Sequence, residues 1–258
     1  NSPYWVITLL ACLRLGIVVV PLDLRSPLDY VTKVISQTNP KIAFTSRFTP
    51  NYDWQKDVNL VDLDTYENQY SSLNPSSSEK IQPDDIAEIM FTSGTTGEPK
   101  GVILTHLNLV SNLIGTIERI KPKSNSRLMS VLPLSHMFEQ MGGLLMALRA
   151  GASVTYLTSR QPTVIVRTIS ERRATMMLVV PQVLDLLMSG IEREIRNQGK
   201  ERLWNRLMAV ARKLPFGLRR HLFRRIHARF GGALRVDHEG CRHGDHVNVG
   251  FWHLVAGA

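Results

Sequence analysis

The apolar positions along the chain switch repeatedly between helical and strand-like spacing. Pro3 to Leu15 is apolar at most steps, with Ser2 before it and Gly16 after it. A serine cap, a proline at the first helical position and a closing glycine predict one helix. "IVVVPL" follows, a β-branched run too short for a helix and suited to a buried strand. "SPLDYVTKVISQTNP" repeats the helical signal, with Ser26 as cap, Pro27 at the start and Asn39–Pro40 as the stop. "KIAFTS" and "VNLVDL" read as strands, and "NPSSSEKIQP" (74–83) as a polar linker.

Beyond the linker the alternation becomes regular. Strands are expected at 86–91, "GVILT", "RLMSVLPL", "ASVTYL" and "TMMLVV". Helices are expected at about 108–119, 137–149, 162–173 and 181–196. Strands separated by helices of ten to fifteen residues indicate an α/β fold with largely parallel sheets packed with helices. No internal repeat is visible. From Lys200 to Arg235 eleven lysines and arginines face one acid, Glu201. Leu218, Leu222, Phe223, Ile226 and Phe230 keep helical spacing there, so 200–230 reads as one basic amphipathic helix.

Composition narrows the classes only a little. The 258 residues are 43% apolar, with mean hydropathy near zero, as in soluble globular proteins. A formal charge of +9 favours anionic partners without choosing among nucleotides, membranes, nucleic acids and acyl anions. Two distant cysteines, Cys12 and Cys241, argue against a disulfide scaffold and for a reducing, cytoplasmic setting. Tyr4–Leu22 is apolar enough to suggest a membrane span, but Arg14 sits inside it and Gly16 breaks it. No signal peptide is expected, and the chain opens mid-pattern, as a piece of a longer protein would.

The chemistry concentrates in "FTSGTTGEPKG", residues 91–101, between two expected strands. Backbone N–H groups of a glycine-rich turn can converge on an anion. Thr92, Ser93, Thr95 and Thr96 add hydroxyls, and Lys100 adds a point charge suited to phosphate. Such a loop can hold a polyphosphate, and its glycine content predicts an exposed or poorly ordered turn. It is not a Walker P-loop, because Glu98 and Pro99 separate Gly97 from Lys100 and a strand follows.

"FTSGTTGEPKGV" closely resembles the phosphate-loop signature of the adenylate-forming (AMP-binding) superfamily, which includes acyl-CoA synthetases, luciferases and peptide-synthetase adenylation domains. "LACLRLGIVVVPLD" is similar to the family's earlier helix–strand segment. "LPLSHMFEQMGG" resembles the segment with the substrate-gate histidine, in the form found in long-chain fatty-acid–CoA ligases. The resemblance covers residues 1–236 and implies part of the family's large domain. It implies a ligase that activates a fatty acid or other carboxylic acid with ATP and Mg²⁺, then forms a thioester with coenzyme A. On this resemblance Thr92, Ser93, Gly94, Thr95, Thr96 and Gly97 would wrap the phosphates, and Thr95 would ligate Mg²⁺. Lys100 would steady the loop or meet the leaving pyrophosphate. His136 would lie beside the carboxylate, with "MGGLLMAL" as either a tunnel wall for an alkyl chain or ordinary helix packing.

The family's adenine-stacking stretch, ribose-binding aspartate and lid lysine have no counterpart here, so the isolated chain is expected to be inactive. Residues 237–258 form an atypical tail, read as out of frame or disordered. Its His238, Cys241, His243 and His246 match no known zinc spacing and are expected to bind no metal tightly. The basic helix is expected to be a solvated face, with peripheral contact to an anionic membrane as a secondary role. No recognised nucleic-acid motif accompanies the charge. Two rival readings stand beside the main one: a nucleotide-binding fragment or degenerate relative without chemistry, and an acyl–carrier-protein or aryl-acid ligase.

Overall fold

The computed structural model describes residues 1–51, 58–65, 80–93, 98–157, 159–211, 213–214, 218, 221–224 and 228. These fall into two units. One comprises Asn1–Ile114 with Pro133–Met137, the other Gly115–Leu132 with Phe138–Ala258.

In the first unit, helix α1 spans Pro3–Arg14. Ser2 Oγ accepts the Trp5 N–H at 3.2 Å, and Gly16 closes the helix at φ +66°. Val6, Leu9 and Cys12, three apart, form its buried stripe. The "IVVV" run does not become a full strand. Only Val19 pairs, donating to Ala87 O at 3.0 Å and accepting from Ile89 N at 2.9 Å. Pro21, which has no N–H to give a ladder, follows two residues later.

Helix α2 spans Leu28–Thr38 and starts later than its sequence suggested. Pro27, not Ser26, is the N-cap: its ψ of 148° is extended, and no side chain caps the helix. Asn39 ends it in the left-handed region at φ 43°, which asparagine tolerates better than most residues. Strands β1 (Ile42–Thr45) and β2 (Asn59–Asp62) pair in parallel. Strands β3 (Ile86–Ser93) and β4 (Pro99–Thr105) form an antiparallel hairpin. Helix α3 (His106–Ile120) follows without a linker. Thr105 and Asn108 cap its start reciprocally, each backbone N–H bonding the other's side-chain oxygen at 3.2 Å or less.

The second unit is built on a parallel sheet in the order β6-β5-β7. Here β5 is Arg127–Ser130, β6 is Ser153–Tyr156 and β7 is Met176–Met177. The last is two residues long, not the six expected of "TMMLVV". Helices α5 (Pro162–Arg172), α6 (Pro181–Asn197) and α7 (Glu201–Ala211) accompany the sheet. Met129 from the sheet, Ile165 and Ile169 from α5, and Leu184 and Leu187 from α6 make one core, which Phe223 joins. Phe223 meets Trp204 edge to face at 6.0 Å. The single basic helix expected over 200–230 is broken. It stops at Ala211, and residues 213 and 214 lie in a turn just before Pro215, which bars continuous helix.

Helix α4, between β5 and β6, is a composite. Met137–Glu139 and Met146–Ala150 are α-helical, and Gln140–Leu145 is a π-helical stretch between them. Two glycines inside that stretch have separate reasons. A Cβ on Gly142 would overlap Leu178 Cδ1, and one on Gly143 would lie 2.5 Å from Glu139 Oε1. Gly142→Ala is therefore expected to cost about 1–3 kcal/mol by overpacking, despite alanine's helix preference. Urea unfolding measures the loss, and adding Leu178→Ala should recover part of it. An unchanged midpoint for Gly142→Ala would show that the contact yields freely.

Candidate functional site

The hairpin places the ends of the glycine-rich turn side by side. Ser93 pairs with Pro99, and Thr92 pairs with Lys100, so a threonine and the lysine face one another across the last rungs of the ladder. Both are exposed. Gly94, Thr95, Thr96 and Gly97, the body of the sequence motif, lie outside the described residues, as does the Ser93 side chain. Gly101 packs under Phe91: a Cβ there would sit 2.9 Å from Ile89 Cγ2 and 3.2 Å from Phe91 Cζ. Glycine after the lysine thus lets the aromatic ring lie across β4. The strand that carries Lys100 is fixed by this contact and by the ladder.

His136 sits in the same unit, in the 133–137 segment. Its backbone N–H donates to Pro133 O at 3.0 Å, and its ring is 64% exposed. Nε2 lies 4.0 Å from Asp23 Oδ2. Asp23 is also held in a fork by Arg25, whose Nε and NH2 reach its two oxygens at 3.0 and 2.9 Å. Leu134, two residues before His136, takes the Asn1 side-chain oxygen at 2.9 Å. The motif segment with the histidine therefore meets the end of "IVVVPLD". Sequence reading did not single out Asp23 as a site residue, since an aspartate two residues after a proline reads as the end of a strand.

Glu139 is the other residue that pattern alone missed. It is fully buried, beside an equally buried Gln140. Among the described residues the Gln140 amide meets no hydrogen-bond partner, and the Glu139 carboxyl lies against the Ser130 hydroxyl and the backbone of Val131 and Leu132 without good bond geometry. Burial pushes the Glu139 carboxyl up to about 7. The Ser130 hydroxyl, the Arg160 charge and the backbone of Val131 and Leu132 act in the opposite direction and hold it back. The Tyr156 phenol is pushed up to about 12, first by burial and then by the Glu139 charge. The positions a Cβ would take on Gly142 and Gly143 are occupied by the side chains of Leu178 and Glu139.

The profile of the AMP-binding enzyme family matches residues 1–249. The chain belongs to the AMP-binding enzyme family. Among its relatives, the peroxisomal long chain acyl-CoA synthetase 6 of Arabidopsis thaliana is 31% identical over 195 residues, 72% of this chain and 27% of that protein. The indoleacetate–CoA ligase of Aromatoleum aromaticum is 29% identical over 203 residues, 73% of this chain and 40% of that protein. Among solved structures, the inhibitor-bound N-terminal domain of FACL13 from Mycobacterium tuberculosis superposes with a TM-score of 0.65 at 24% identity. That superposition covers 72% of this chain and 49% of that one. The chain thus spans about half or less of the AMP-binding proteins it matches. The fold likeness agrees with the α/β architecture with parallel sheets read from the sequence. Among the described residues no helix is long and apolar enough to cross a membrane.

Proposed function

We propose that this chain is part of an ATP-dependent acid–thiol ligase that activates a carboxylic acid, with a long-chain fatty acid as the leading candidate. The carrying observation is the register of the hairpin, Thr92 opposite Lys100, in a member of the AMP-binding family. That register brings a hydroxyl and a cation to the two ends of a turn whose sequence is Gly-Thr-Thr-Gly. A carboxylate oxygen would attack the α-phosphorus of ATP, and the bond to the bridging oxygen would break to release pyrophosphate. A thiol, coenzyme A in the leading reading, would then attack the acyl carbon and displace AMP.

The carboxylate is already a nucleophile, so the first step needs no general base. The protein's work is positioning and charge neutralisation. Lys100 would meet the negative charge gathering on the leaving pyrophosphate. The Thr92, Ser93, Thr95 and Thr96 hydroxyls, with the Gly94 and Gly97 amides, would surround the phosphates. When bound, Mg²⁺ would offset phosphate charge. A threonine hydroxyl such as Thr95 is a hard oxygen donor of the kind it accepts. His136 would orient the acid's carboxylate, with Asp23 holding its ring from the other side.

The acid remains the finer question, since relatives of this chain include both a long-chain acyl-CoA synthetase and an indoleacetate–CoA ligase. ATP–pyrophosphate exchange with palmitate, indoleacetate and 4-coumarate, in the protein completed to its relatives' length, addresses it. Palmitate is expected to support the fastest exchange, and His136→Ala to lower it about tenfold or more as oriented binding is lost. Exchange driven only by an aryl acid would reassign the substrate class. No exchange with any acid would favour a nucleotide-binding relative without chemistry. Arg202 and Arg206 flank exposed Leu203 on α7, which supports peripheral contact with an anionic membrane surface as a secondary role.

A further inference from the structure

Helix α2 touches the strand end that carries Lys100. Lys33 Nζ lies 2.6 Å from Glu98 Oε1. One turn along, Gln37 Nε2 donates to Pro99 O at 3.5 Å. Residues four apart on a helix share a face, so both side chains leave α2 in the same direction. The two residues they hold, Glu98 and Pro99, immediately precede Lys100. Pro99 is buried, whereas Lys100 is exposed.

Glu98 is a carboxylate two residues from Lys100 in the chain. Without another partner it would repel an incoming polyphosphate and compete for the Lys100 ammonium. Lys33 engages that carboxylate from a different element, 65 residues away in sequence. We propose that Lys33 is a positioning residue for Lys100: by holding Glu98 it anchors the start of β4 and keeps the carboxylate away from the phosphate-facing cation. Gln37 supports the same segment through its backbone. The proposal rests on reading Lys100 as a phosphate contact, and its test has one arm independent of that reading.

The first arm is amide hydrogen exchange at Lys100 and Gly101, measured on this chain in low salt. Both partners of the pair are exposed, at 43% and 61%. The expected effect of Lys33→Ala is therefore modest, an acceleration of about two- to fivefold. Lys33→Arg should stay near the wild-type rate, and the charge swap Lys33→Glu with Glu98→Lys should restore it. In about 0.5 M salt the difference between wild type and Lys33→Ala should shrink, because exposed pairs are screened. Wild-type exchange in Lys33→Ala, or acceleration that the swap fails to reverse, would overturn the proposal. The second arm is calorimetric binding of magnesium pyrophosphate. Lys33→Ala should weaken it by a similar factor. Weaker binding with unchanged exchange would mean that Lys33 meets phosphate directly, which also overturns the positioning role. A wild-type chain that ignores pyrophosphate while the exchange effect persists would sink the phosphate reading of Lys100 and leave the anchor standing.

Discussion

Replacing Lys100 with alanine is expected to slow ATP–pyrophosphate exchange about a hundred- to a thousandfold in the protein completed to its relatives' length. The lysine sits at the mouth of the hairpin, opposite Thr92, and leaves for solvent rather than for a core. Its charge is therefore free to meet a phosphate, and its loss should leave the fold intact, within about 0.5 kcal/mol. Thr95→Ala should also lower exchange. Lys100→Arg is expected to keep part of the rate, since the charge remains while the compact ammonium is replaced by a planar fork. Exchange by Lys100→Ala within threefold of wild type, at unchanged stability, would remove the lysine from the machinery.

The second large effect concerns Glu139 and pH. The unfolded chain releases this proton near the ordinary 4.5, whereas the folded protein holds it to about 7. A carboxyl raised in this way favours the fold fully below the unfolded value. That contribution fades as pH rises from 4.5 and is gone above 7. At about 1.4 kcal/mol for each tenfold change in proton affinity, it amounts to roughly 3 kcal/mol. Glu139→Gln keeps the shape and cannot ionise, so it should abolish this part of the pH dependence. Relative to wild type, the variant should gain up to roughly 3 kcal/mol between pH 4.5 and pH 8 in urea unfolding. A stability difference between the two proteins that is the same at both pH values would show that the carboxyl is not held neutral. Arg160, whose charge draws the value down, gives a control: Arg160→Gln should move the transition to higher pH.

Where local signals agree with one another, the chain announces its structure. Ser2, Pro3 and Gly16 delimit α1, and the hairpin appears where the motif demands strand, turn and strand. Boundaries set by tertiary pairing are less visible. The "IVVV" run has strong strand propensity, yet pairing with β3 is confined to Val19. "TMMLVV" keeps only two residues against β5. The π-helical stretch of α4 leaves the apolar pattern almost unchanged, so periodicity reads through it as plain helix. Glu139 escaped notice for a related reason: a charged residue in a helix is normally solvated, and only the fold reveals that this one is not. The pairing of Thr92 with Lys100 was legible because strand, turn and strand follow one another locally in the chain. Their neighbours Lys33 and Asp23 were not, since each reaches its partner across a long stretch of chain.

We propose that a carboxylate oxygen attacks the α-phosphorus of ATP at the Thr92–Lys100 hairpin. Palmitate labelled with ¹⁸O in its carboxylate tests it directly, in the completed protein with ATP, Mg²⁺ and coenzyme A. If the acyl-adenylate forms, the attacking oxygen stays on phosphorus when the thiol displaces AMP. One ¹⁸O should then appear in AMP by mass spectrometry, and the label should fall sharply in the Lys100→Ala variant. Product AMP without label, or label in inorganic phosphate alongside ADP, would contradict the account.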